Sequence, residues 1–298
     1  MKKDMDGAKL NNINPLTAKD LIMAVKDILV HIDDFPTTAT RANLAADLGQ
    51  RFQAHVAGLH VKRLPNVPVG VEFSNIPQEY FEIQQEEIDK HAEAARKIFE
   101  AAVRRVNVSN EWRVVTGYPS DAMLRQARYA DLVVVGQKNP EANGQAEDLP
   151  DGLLLATGRP VLVVPNNMPV KSFGKNVLIA WNDSAAATRA VHDALPLIEP
   201  GAKVTVLAVN PERTGDHGQV PCADLCLHLA RHGFETEAVA LTAPAVGADD
   251  MLLARIFEQG CDLLVMGAYG HSRAREFVFG GVTAHILKQM TVPVLFSH

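Results

Sequence analysis

Cysteine is rare in this chain. Three thiols in 298 residues, Cys222, Cys226 and Cys261, cannot build a disulfide framework, so a reducing, cytoplasmic setting is expected. Aromatic residues are also few, at 6%. No apolar run reaches the ~18–20 residues that cross a bilayer, so no membrane span is expected. The opening segment, MKKDMDGAKLNNINPLTAKD, is polar and lacks the apolar stretch of a secretion signal. Basic runs are missing too, and the net charge is −6, which argues against a nucleic-acid partner. Catalytic signatures are absent: there is no Gly-x-Ser-x-Gly elbow and no Walker Gly-x4-Gly-Lys-[Ser/Thr] loop. Nor does any residue stand out as a general base aimed at an attacking water.

What the chain does have is small aliphatic residues, within a composition 47% hydrophobic and 21% charged. Ala, Val and Leu suit buried parallel strands covered by helices. It also has a repeat. Ile28 to Asp34 (ILVHIDD) lines up with Val177 to Asp183 (VLIAWND), and Ala54 to Val61 (AHVAGLHV) with Ala202 to Val209 (AKVTVLAV). Asp131 to Gly136 (DLVVVG) matches Asp262 to Gly267 (DLLVMG), and both copies close on a Pro-Val-Leu strand, at Pro160 and Pro293. The offset falls from 148 at the second strand to 131 at the fourth, so the first copy carries extra residues in between, assigned to the 63–90 stretch.

Each copy reads as strands alternating with helices, which implies βαβ units with right-handed crossovers. In the first copy helices are expected over 38–51 and 77–105, a strand over Asn110 to Thr116, and a helix capped by Ser120 that runs to about Arg128. In the second, helices are expected near 185–198, 220–233, 248–260 and 281–290, and strands near 176–181, 203–209, 235–242, 262–267 and 293–297. The fold class is therefore α/β, two tandem doubly wound domains, each a five-stranded parallel sheet with helices on both faces. The chain divides into a tail (1–23), a first unit (24–165), a linker (166–174) and a second unit (175–298). The two final strands have edges that can pair antiparallel.

Ligands of open parallel sheets bind beyond the carboxyl ends of the strands, near the switch in strand order. After the fourth strand of copy two comes Gly267-Ala268-Tyr269-Gly270, then nine residues, then Gly280-Gly281-Val282-Thr283. Glycines here let the backbone approach a ligand, and the N–H groups opening the next helix favour an anion. Thr283 adds a hydroxyl, and His271, Arg273 and Arg275 add positive charge. The other reading of these glycines is a tight strand–helix turn. After the first strand comes Asn182-Asp183-Ser184. An acceptor there can bond a purine amino group or a ribose hydroxyl; equally, Asp183 or Ser184 serves as the N-cap of the following helix.

These residues resemble the universal stress protein family, in a tandem two-domain form. Its nucleotide-binding members carry Gly-x2-Gly-x9-Gly-[Ser/Thr], which stands here as Gly267, Gly270 and Gly280, followed by Gly281. The resemblance implies adenine contacts at Asn182, where the family usually has Asp. It implies main-chain contacts to the base at Val209, with Ala180 and Asp183 in the same nucleotide-binding site. It places phosphate and ribose on Met266, Gly267, Gly270, Gly280, Gly281, Val282 and Thr283, with His271 and Arg273 alongside. Gly281 departs from the family's hydroxyl residue. Copy one keeps Asp33 but lacks the second glycine after Gly136, and its following loop carries Glu141, Glu147, Asp148 and Asp151, which repel phosphate. It reads as a degenerate site.

Other constellations weigh less. Cys222, Cys226, His228 and His232 share one helix, but the two pairs face different ways, so zinc is not expected. His31, His60 and Cys261 read as core or rim residues, and Glu79 to Arg105 as a solvated helix face. The function that follows is a cytoplasmic stress-response protein. It would bind an adenine nucleotide, ATP or else AMP or ADP, with or without Mg²⁺, in copy two, and act as a sensor or regulator with at most slow hydrolysis. Its partners would be the nucleotide and a homodimer mate or internal pseudo-dimer through the final strands. The rival is a nucleotide-free dimerising adaptor whose Asn182 and Gly281 mark a lost site. A small-molecule enzyme on the same sheet would need a catalytic pair facing the loop, and the sequence offers none.

Overall fold

A computed structural model describes residues 25–35, 37–65, 76–138, 149–166, 169–210, 222–242, 246–268 and 281–298. The first copy runs β1 (Asp27–His31), α1 (Thr38–Phe52), β2 (His55–Lys62), α2 (Gln78–Val106), β3 (Asn110–Thr116), α3 (Pro119–Ala127), β4 (Leu132–Gly136), α4 (Leu149–Ala156) and β5 (Val161–Val164). The second runs β6 (Asn176–Ala180), α5 (Ala185–Ala194), β7 (Lys203–Val209), α6 (Ala223–Arg231), β8 (Glu235–Leu241), α7 (Ala248–Gln259), β9 (Leu263–Gly267), α8 (Gly281–Gln289) and β10 (Val294–Ser297).

The strand order is β3-β2-β1-β4-β5-β10-β9-β6-β7-β8. Within each copy every pairing is parallel. At the centre β5 and β10 pair antiparallel, with Val163 opposite Val294, Leu162 opposite Leu295 and Val161 opposite Phe296. Two five-stranded halves thus fuse into one ten-stranded sheet. Because the central pair reverses direction, the carboxyl ends of the strands point one way in copy one and the opposite way in copy two.

The central strands, VLVV and VLFS, are apolar at all but Ser297 and buried at every position. Such strands need cover on both faces. Side chains alternate between those faces. On one, Leu162 and Leu295 join α1, α2, α5 and α6 through Ala45, Phe99, Val191 and Leu229. On the other, Val161, Val294 and Phe296 join α3, α4, α7 and α8 through Met123, Leu153, Ile256 and Ile286. Each core therefore runs across both copies.

The repeated aspartate of DLVVVG and DLLVMG has a structural task. Asp131 Oδ2 accepts from the N–H groups of Lys26 (2.8 Å) and Asp27 (3.1 Å) at the start of β1. Asp262 Oδ1 does the same for Lys175 (3.1 Å) and Asn176 (3.0 Å) at the start of β6. Two expectations are corrected. Tyr118 is the N-cap of α3 and Pro119 its first residue, so Ser120 lies inside the helix and caps nothing. α5 ends at Ala194 rather than near 198, because Pro196 offers no N–H to continue the ladder. The turn after α5 is instead held from copy one: Arg51, in the last turn of α1, donates from Nη1 to Leu197 O (3.0 Å) and from Nη2 to Ile198 O (2.8 Å) and Pro196 O (3.4 Å).

Candidate functional site

In copy two the strand ends converge as the topology requires. Ala180, the last residue of β6, sits between Leu207 on β7 and Met266 on β9. Beyond it Trp181 donates its N–H to Leu207 O (2.9 Å). Asn182 and Asp183 are exposed above this edge. Val209 closes β7 and packs against the second core, as does Val282. Met266 is buried, Gly267 ends β9, and Gly281, Val282 and Thr283 open α8, with Thr283 buried. The remaining candidates, Gly270, His271, Arg273 and Gly280, lie outside the described residues, as does Arg275.

Of Asn182-Asp183-Ser184, the structure assigns the cap. Ser184 is the cap: its Oγ accepts from Ala187 N (3.1 Å). Asn182 Oδ1 accepts from Ser184 N (3.3 Å), which leaves its Nδ2 group as the donor on the open side. Asp183 takes φ +57, and Asn210, just past β7, takes φ +48. Two non-glycine residues in the left-handed region thus stand at neighbouring strand ends, where Asp and Asn are the side chains that tolerate it best.

The two glycines have different reasons. A Cβ at Gly267 would lie 2.5 Å from Ala187 N and 2.7 Å from Ala186 C, so the close approach of β9 to the first turn of α5 excludes any side chain there. At Gly281 a Cβ would meet nothing within 4 Å, so among the described residues the start of α8 stands open. Ala268 has both main-chain groups engaged, its N–H with Ser297 O (2.8 Å) and its carbonyl with His298 Nδ1 (3.0 Å). Next to this edge His285 lies 3.4 Å from Asp249 and 3.6 Å from Asp250, which ties the first turns of α8 and α7 together.

Copy one is built differently at the same place. Arg41, 2% exposed, reaches from α1 across the end of β1. Its Nε donates to His31 O (2.6 Å), and its Nη2 to Thr38 Oγ1 (3.1 Å) and to Asp33 Oδ2 (2.7 Å). Asp33 Oδ1 also accepts from Phe35 N (3.2 Å) and from the Thr38 hydroxyl. Burial raises the Asp33 carboxyl, but the charges of Arg41 and His31 and the bonds from Thr38 and Arg41 outweigh it and hold the pKa at about 2. His31 Nδ1 lies 3.7 Å from Asp33 Oδ2, yet burial drives its pKa down to about 3, so the pair is neutral imidazole beside carboxylate at pH 7. The cavity left here, lined by Asp33, Arg41, Arg63, Gln137, Lys138 and Asn166 among others, is about 40 Å³. Ligand pockets usually span roughly 300–1,000 Å³. Sequence reasoning missed Arg41, although its place on the buried stripe of an alanine-rich helix, in register with Thr38, Ala42 and Ala45, was the available signal.

The histidines at the C-terminal end of α6 cluster with one from α5. His228 packs edge-on against His232 (4.8 Å) and against His192 of α5 (5.4 Å), and its Nε2 is buried without a hydrogen-bond partner among the described residues. No group of three His, Cys, Asp or Glu side chains among the described residues is arranged to hold a metal ion. His31, His60 and Cys261 are buried as expected.

A repeat of doubly wound halves joined through β5 and β10 defines a tandem α/β protein with a switch in strand order in each half. The chain belongs to the universal stress protein family, which matches it twice, over residues 24–165 and 174–298. It is 26% identical over 213 residues to universal stress protein Slr1230 of Synechocystis sp. (strain ATCC 27184 / PCC 6803 / Kazusa), covering 68% of this chain and 69% of that one. Its fold is similar to a crystal structure of a universal stress protein from Archaeoglobus fulgidus DSM 4304 (TM-score 0.71, 17% identity, 93% and 97% of the two chains). It is similar also to a functionally unknown protein from Pseudomonas aeruginosa PAO1 (TM-score 0.58, 16% identity, 93% of each chain). Among the described residues no helix is long and apolar enough to cross a membrane.

Proposed function

We propose that this stress-response protein binds an adenine nucleotide, ATP in the first instance, at the carboxyl edge of copy two and serves as a nucleotide-dependent sensor or regulator. The observation that carries the reading is the first turn of α8: Gly281 is exposed, and among the described residues nothing lies within 4 Å of where its Cβ would be. The first N–H groups of a helix have no partner within the helix, and with the helix dipole they suit a phosphate. The glycine spacing that precedes Gly281 supports the same assignment. Asn182 is the candidate for the base, Ala180, Asp183 and Val209 for its main-chain contacts, and Met266, Gly267, Gly270, His271, Arg273, Gly280, Val282 and Thr283 for ribose and phosphate.

The second reading, a nucleotide-free adaptor, draws on Asn182, whose Oδ1 is already held by Ser184 N. Since β5 and β10 pair with each other, an adaptor homodimer would use the outer strands β3 and β8 or a helical face. Calorimetric titration of ATP into wild type and Gly281→Ser separates the readings, since among the described residues a Cβ at Gly281 meets nothing within 4 Å. Binding to wild type supports the sensor. Binding by the serine variant alone identifies a silenced site and favours the adaptor. Binding by neither overturns the nucleotide assignment.

A further inference from the structure

We infer that copy one is a self-liganded domain: the guanidinium of Arg41 occupies the position that corresponds to the base edge in copy two, and closes that site to nucleotides. The location of the base edge rests on the reading of copy two given above. Asp33 of copy one corresponds to Asn182, His31 to Ala180 and Gly136 to Gly267. In copy two the side chain at the first of these positions is exposed. In copy one it is spent internally, since both oxygens of Asp33 are engaged by Arg41, Thr38 and Phe35.

The chemistry of the substitution is specific. A guanidinium presents N–H donors in one plane, as the amino-substituted edge of adenine does, and it matches a carboxylate acceptor. Arg41 is 2% exposed and Thr38 fully buried, so this is a filled interior position rather than a surface ion pair. Gly136 records the same fact from the other side. A Cβ there would overlap Arg41 Nη1, so this glycine makes room for the arginine, whereas Gly267 makes room for Ala186 and Ala187. The first glycine of the two loops is shared by the repeat but answers to a different neighbour in each copy. The chain accordingly takes one nucleotide, not two.

Chemical rescue tests the assignment. Arg41→Ala is expected to melt at a lower temperature than wild type, and millimolar guanidinium ion is expected to restore part of the loss. The same ion should leave wild type unchanged, and sodium chloride at equal ionic strength should leave both unchanged. No recovery in the variant, or an equal rise in wild type, would overturn the inference. Gly136→Ala supplies an independent reading. It should destabilise wild type and cost much less in the Arg41→Ala background, where the clash has gone; strict additivity would overturn the assignment. If Arg41→Ala fails to fold, Arg41→Lys, which keeps a cation without the fork, replaces it in the same cycle. Equilibrium dialysis of wild type should count one ATP per chain, and two would refute the closed site. None would refute the reading of copy two, while rescue and the paired variants would still decide the role of Arg41.

Discussion

His31 is neutral because it is buried, and that makes the stability of the whole chain depend on pH. Burial lowers its pKa from 6.5 to about 3. Between those values the unfolded chain holds a proton that the folded chain refuses, so stability falls as pH falls, by about 1.4 kcal/mol per pH unit for a fully shifted group. The loss begins below the unfolded value and is complete near pH 3. His60, also buried and stacked on Trp112 with ring centres 6.0 Å apart, is shifted the same way, mainly by desolvation. Asp33 adds to the trend only in stronger acid: its stabilisation is present above 3.8 and disappears as pH falls toward about 2. Replacing His31 by leucine removes its share. Urea midpoints of His31→Leu are therefore expected to fall less steeply than those of wild type between about pH 6.5 and 4, and equal slopes would contradict the burial argument. At this scale the sequence was only partly legible. Residue type and strand position narrowed the cap to Asp183 or Ser184 and His31 to core or rim, and the structure decides for Ser184 and for the core. Arg41 escaped because its partner, Asp33, had a second, more familiar reading, and because no single-residue signal says which side chain fills a pocket.

Secondary-structure elements were the most legible level, because strand and helix periodicities are local. The strand over Asn110 to Thr116 and the strand over Lys203 to Val209 end where apolar patterning ends. What patterning does not contain is the side chain that one element lends to another. Arg51 is such a loan: it belongs to α1 but satisfies three carbonyls in the turn after α5. Those carbonyls sit where α5 stops at Ala194, and the turn also excludes a side chain at Gly174, which takes φ +77 with its Cβ position 2.5 Å from Leu197 O. Burial lowers the pKa of Arg51, against a smaller raising effect from Glu199, so the guanidinium is partly desolvated while it works as a cap. Losing it leaves acceptors without donors. Arg51→Ala is expected to cost roughly 1–3 kcal/mol in urea unfolding. Arg51→Lys should recover only a fraction, since one ammonium cannot span three carbonyls as the planar fork does. Full recovery by lysine would mean that charge near the turn, not the fork, is what matters.

For the whole molecule the repeat was legible, and so was the capacity of its two final strands to pair antiparallel, which β5 and β10 do; what was not legible is that both cores run across the pair. Two similar units in sequence are compatible with two independent domains on a linker. Their union into one sheet depends on β5 and β10 finding each other across about 130 residues, which no local pattern encodes. Once they pair, neither core belongs to one copy: Leu162 and Leu295 share one face of the sheet, and Val161 and Phe296 share the other. A molecule built this way should unfold as one body. The chain provides its own reporters, since it has two tryptophans, Trp112 on β3 of copy one and Trp181 just after β6 of copy two. Trp181→Phe leaves a probe of copy one, and Trp112→Phe a probe of copy two. Changes in tryptophan fluorescence are expected to give coincident transitions with far-ultraviolet circular dichroism in each variant. The decisive step is to add Leu162→Ala, a fully buried truncation at the central pair that should cost about 2–5 kcal/mol. Although Leu162 lies in copy one, the Trp181 transition of copy two should move with it by the same amount. A shift confined to Trp112 would show that the copies unfold separately and that the central strand pair joins them without coupling them.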